Sequence, residues 1–132
     1  MPESRDHLEL VQTIVTYITN TWNTFTAMAI LTDLPARPSA TRPPRIAGFI
    51  PDVYAADVPT TQIIIGEAKT IDDLETEHAR EQLRAFLDFL NQQECGTLIV
   101  AVPWQARATA HNMTKRMGAS KAQVIILDDI KR

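Results

Sequence analysis

The spacing of apolar residues changes several times along the chain, and those changes divide it into elements. From Ser4 the residues Leu8, Val11, Val15, Ile18 and Trp22 recur every three or four positions, the one-sided stripe of an amphipathic helix, with Ser4 as its N-cap. Between Thr24 and Leu34 the pattern loosens to alternation at Phe25, Ala27, Ala29 and Leu31, which reads as a strand. PARPSATRPP follows, rich in proline and without a hydrophobic period, and is a loop. Two β-rich runs, RIAGFIPDVYAA and TQIIIGEAKT, flank Asp57-Val58-Pro59-Thr60, whose composition suits the turn of a hairpin. Pro51 cannot donate to a ladder and belongs at a bulge, a strand end or an edge.

Near Glu77 the period becomes helical again: Ala79, Leu83, Phe86, Leu87 and Leu90 form one stripe within TEHAREQLRAFLDFLNQQ. GTLIVAVPW then reads as a continuous apolar strand, QARATAHNMTKRMG as a helix closed by Gly118, and AQVIILDD as a last buried strand. The order is α-β-β-β-α-β-α-β. Strands without alternation, separated by helices, indicate a sheet covered on its faces, so the fold class is α/β.

At 132 residues the whole chain, 1–132, fits a single domain. No window approaches the ~20 apolar residues of a membrane helix, and MPESRDHLEL lacks the apolar stretch of a secretory signal, so the cytoplasm is the expected compartment and no membrane partner is expected. One cysteine, Cys95, makes neither an internal disulfide nor a zinc pattern and is expected to be buried. His7, His78 and His111 lack zinc spacing, and the glycines never cluster into a phosphate loop. Trp22 and Trp104 are both expected to pack.

A net charge of −3 argues against a generally basic nucleic-acid binder, but the charge is unevenly spread. Arg37, Arg42 and Arg45 make residues 35–48 basic, seven acids against Arg80 and Arg84 make 70–95 acidic, and the last third is basic again. Arg37, Arg42, Arg45, Arg80 and Arg84 are therefore the candidates for phosphate-backbone contact.

The chemistry-bearing constellation is Pro51-Asp52 followed by Gly66-Glu67-Ala68-Lys69. Glu67 and Lys69 lie two apart and so emerge on one face of a strand. A hairpin centred between residues 59 and 60 brings Asp52 opposite Glu67. Three charges at the ends of apolar strands are costly unless paired or bound to metal. Two carboxylates and a main-chain carbonyl, that of Ala68, form a hard oxygen site suited to Mg²⁺ or Mn²⁺, and Lys69 can orient the attacking water and stabilise phosphoryl charge.

At these residues the chain resembles the PD-(D/E)xK nuclease superfamily, whose motif stands as Pro51-Asp52 and Glu67-Ala68-Lys69, and within it small domains similar to Holliday-junction resolvases and virus-type replication-repair nucleases. The resemblance implies a restriction-endonuclease-like mixed β-sheet flanked by helices, with Asp52 and Glu67 on the metal and Lys69 serving the water. It also implies an additional acid from the first helix, for which Glu9 stands in place, and a polar auxiliary on the helix after the motif, Gln82, with His78 on the same face. The expected activity is a Mg²⁺- or Mn²⁺-dependent deoxyribonuclease, an endonuclease acting on DNA, as a homodimer or with a separate targeting protein. The alternative is a catalytically silent module of the same fold that binds DNA or protein.

Overall fold

A computed structural model of the chain describes residues 5–22, 27–34 and 42–129. In chain order these form α1 (Arg5–Thr21), β1 (Met28–Thr32), β2 (Val53–Asp57), β3 (Gln62–Ala68), α2 (Ile71–Leu74), α3 (Glu77–Asn91), β4 (Cys95–Val102), α4 (Arg107–Lys115) and β5 (Gln123–Asp128), with a 3₁₀ turn at Trp104–Ala106 before α4. The strands make one sheet in the order β1-β2-β3-β4-β5. β1, β2 and β3 are antiparallel neighbours, whereas β4 runs parallel to β3 and β5 parallel to β4. The fold is therefore α/β with a five-stranded mixed sheet flanked by helices.

The continuous apolar runs of β3 and β4 follow from burial on both faces. On one face Ile63, Ile65, Leu98, Val100 and Val102 meet Leu83, Phe86, Leu87 and Leu90 of α3 and Ala110 of α4. On the other, Ile64, Ile99, Ala101, Val53 and Ala55 lie under Leu10, Val11, Ile14 and Ile18 of α1. α3 starts where Thr76 accepts a hydrogen bond from the Ala79 amide at 3.1 Å. It ends at Asn91, whose Oδ1 accepts the amides of Ser120, Lys121 and Ala122 and so fixes the entry into β5.

Several expectations are corrected. The buried stripe of α1 is Leu10, Val11, Ile14 and Ile18, while Leu8 is exposed and Val15 and Trp22 are half-buried. Val15 and Trp22 pack against the margin of that core as expected, whereas Leu8 points away from it and Leu10 and Ile14, absent from the expected stripe, define its centre. The run from Arg45 is not all strand: Ile46 and Phe49 close a tight turn through mutual backbone hydrogen bonds, with Ala47 and Gly48 both at positive φ, and β2 begins only after Pro51. A short helix, α2, precedes α3. β5 is an edge strand of partly buried residues instead of a buried one, and Cys95, at the start of β4, is exposed. Trp104 is 54% exposed because the turn that carries it lies beyond the end of β4. Ser4, Phe25 and Arg37 lie outside the described residues. Among the described residues no helix is long and apolar enough to cross a membrane.

Candidate active site

The site forms at the open end of the β2–β3 hairpin. Val53 pairs with Gly66, so the register expected from the turn holds and Asp52 falls opposite Glu67. The Asp52 amide donates to Glu67 Oε1 at 2.9 Å, and the Ala68 amide donates to Asp52 Oδ2 at 2.9 Å. Each carboxylate thus accepts a main-chain N–H from the opposite strand, which fixes both side chains through the ladder itself.

Alternation along β3 turns Ile63 and Ile65 towards α3, and Glu67 and Lys69 follow them. Lys69 extends the β3–β4 ladder, its amide donating to Ala101 O at 3.0 Å. Its Nζ stands 3.4 Å from Glu67 Oε2 and donates to Gln82 Oε1 on α3. Glu67 is 1% exposed, Lys69 9% and Gln82 8%, so the pair and its auxiliary are almost closed to water. Burial, and then the charge of Asp52, push the Glu67 carboxyl well above its ordinary pKa, against the partial opposition of Lys69.

α1 completes the site from the other face. A Cβ on Gly66 would lie 2.6 Å from Ile14 Cγ2, so only glycine lets the helix settle this closely on the hairpin. That seat brings His7 Nε2 to 3.3 Å from Asp52 Oδ2, with both side chains largely shielded at 14% and 15% exposure. His7 was missed in the sequence although a signal existed: it is in phase with Val11, Ile14 and Ile18, a polar residue at the end of the buried stripe.

Glu9, expected from α1, is not in the site. It falls on the opposite side of the helix, exposed and paired with Arg5 at 3.4 Å. His78 is exposed, with its ring against the edge of Phe49 at 5.6 Å between centroids and not beside Lys69. Arg42 faces Asp33 at 3.7 Å, Arg45 donates to Gly48 O at 3.0 Å, Arg80 lies 3.7 Å from Glu77, and Arg84 is exposed on α3. Among the described residues no three His, Cys, Asp or Glu side chains form a group that could hold a metal ion.

A cleft of about 870 Å³ opens beside α1, lined by Asp6, Glu9, Asp72, Asp128 and Asp129 with Ile71 and containing none of the three site residues. Its acidic lining disfavours phosphate on that side. The fold and site define an α/β protein carrying a buried Glu67–Lys69 pair beside a partly buried Asp52 at the end of a hairpin. No protein family, curated protein or solved structure matches the chain.

Proposed function

We propose that the chain is a divalent-metal-dependent deoxyribonuclease of the PD-(D/E)xK type, an endonuclease with a restriction-endonuclease-like fold. The observation that carries this reading is the register of Val53 with Gly66, through which Asp52, Glu67 and Lys69, with Gln82 on Lys69, become one cluster. The donor set suits a hard cation: Mg²⁺ is commonly held by one or two carboxylates and takes its remaining ligands from water and substrate phosphate. Mg²⁺ or Mn²⁺ held by Asp52, Glu67 and the Ala68 carbonyl would polarise the phosphodiester and lower the pKa of a water.

The chain's own groups supply the rest. Lys69 orients the attacking water and stabilises charge on the phosphoryl oxygens. Gln82 holds the Lys69 ammonium, and His7 steadies Asp52. Arg45, Arg80 and Arg84 belong to the loop and helix on the α3 side and are the candidate contacts to the phosphate backbone there, among the acids Glu77, Glu81 and Asp88 of the same helix.

The test is nicking of supercoiled and branched DNA in Mg²⁺, Mn²⁺ or EDTA. The parent should cut only with metal, and Lys69→Ala and Asp52→Asn should each lose at least ~10²-fold in rate, the scale of removing one charge-stabilising group. A parent that cuts no substrate and binds no divalent ion by calorimetry overturns the reading. The burial of Glu67 and Lys69 favours one second reading, a catalytically silent module of this fold, for which DNA or protein binding would persist without cutting.

A further inference from the structure

The polar atoms gathered at Asp52 include a nitrogen. Asp52 Oδ2 accepts the Ala68 amide at 2.9 Å, and His7 Nε2 stands 3.3 Å from the same oxygen. Both Glu67 oxygens are engaged, Oε1 by the Asp52 amide and Oε2 by Lys69 Nζ at 3.4 Å, so Asp52 is the more open of the two carboxylates. The place of His7 is set by packing: the close approach of Ile14 to Gly66 seats α1, and the imidazole is largely shielded at the end of the buried stripe of that helix. Glu9, two residues further on, is paired with Arg5 at the surface.

Two adjacent ligands ~2.1 Å from a shared ion stand ~3.0 Å apart in an octahedron and ~3.4 Å apart in a tetrahedron. The His7–Asp52 separation of 3.3 Å lies between these values, so one ion can bind both atoms with little movement of either side chain. The Ala68 amide takes one lone pair of Oδ2, and His7 faces the same oxygen from α1. The donor type then decides the ion. Mg²⁺ takes oxygen ligands, whereas a neutral imidazole suits first-row transition ions. Resting on the metal-site reading above, we propose that His7 Nε2 ligates the divalent cation together with Asp52, so that the site selects a first-row transition ion over Mg²⁺. Mn²⁺, the weakest binder of that series, is the stringent probe.

Calorimetry with Mn²⁺ and with Mg²⁺, and the electron spin echo of bound Mn²⁺, test the ligand with no DNA present. The parent should bind Mn²⁺ at least ~10-fold more tightly than Mg²⁺. Its echo should carry the nitrogen modulation of a bound imidazole, and isotopic labelling of the histidine nitrogens should change that modulation. His7→Gln keeps a hydrogen-bond donor for Asp52 but removes the imidazole. It should raise the Mn²⁺ dissociation constant at least ~10-fold, since even groups behind a metal ligand are worth about 10–100-fold, and it should abolish the modulation while Mg²⁺ affinity changes little. Glu9→Gln should alter neither affinity nor echo, and thermal melts check that both variants fold. Mn²⁺ bound without nitrogen modulation, or with modulation that persists in His7→Gln, overturns His7 as a ligand and leaves the carboxylate site standing. Binding of neither ion overturns both. Modulated Mn²⁺ binding in a protein that cuts no DNA supports the ligand and counts against the nuclease alone.

Discussion

The β2–β3 hairpin carries a shielded carboxylate at each end, and the two are held in opposite ways. At the closed end Asp57 accepts the Thr61 hydroxyl at 2.6 Å and the Thr61 and Gln62 amides at 2.8 Å each. The Thr61 hydroxyl and these amides hold its carboxyl below the ordinary pKa. At the open end Glu67 also accepts an amide, that of Asp52, yet burial and the Asp52 charge outweigh this and raise its pKa. The turn spends its donors on a carboxylate that locks the chain reversal. The open end crowds two carboxylates beside one lysine, an arrangement that costs stability.

The widest contrast should appear in catalysis. Under the nuclease reading Glu67→Gln should reduce metal-dependent nicking by at least ~10²-fold, while Asp57→Asn, at the far end of the same strands, should leave the rate within about twofold. Equal losses in single-turnover cleavage would erase the distinction. Next comes the seat of α1. Gly66→Ala forces a Cβ against Ile14 and should cost about 1–3 kcal/mol in urea denaturation, the range for overpacking.

The two carboxylates should also differ in the sign of their pH dependence. Glu67, raised in the folded state, contributes stability that is fully present below its unfolded value near 4.5 and is lost as pH rises through the folded pKa. In EDTA, urea midpoints of the parent should therefore carry a falling component above that pH, which Glu67→Gln flattens and added Mg²⁺ reduces. Asp57, lowered in the folded state, contributes stability present above its unfolded value near 3.8 and lost as pH falls through the folded pKa. Asp57→Asn should give the smallest effect, a reduced acid-dependent loss below pH 4 measured by circular dichroism.

Much of the hairpin was legible because local rules act there without help from distant residues. The period of two set Glu67 and Lys69 on one face, and the turn at Asp57–Thr60 set the register that brings Asp52 to Glu67. Helix α3 was equally clear, since Ala79, Leu83, Phe86, Leu87 and Leu90 leave one choice of buried face, and Gln82 beside them joined Lys69. The N-terminal helix was less legible. Apolar residues occupy more than one of its sides, so the sequence allowed Glu9 as the site residue until contact with Gly66 chose the rotation and placed His7 there instead.

The sequence by itself therefore determined the α/β class, the order of the main elements, and a hairpin whose charged residues must converge, because each rests on periodicity or on a short turn. Only the tertiary structure decided the strand order, the exposed edge at β5, the open position of Trp104 and the entry of His7. Those features depend on which faces meet across the sheet. Packing between residues far apart in the chain selects among rotations and edges that local patterns leave equally open.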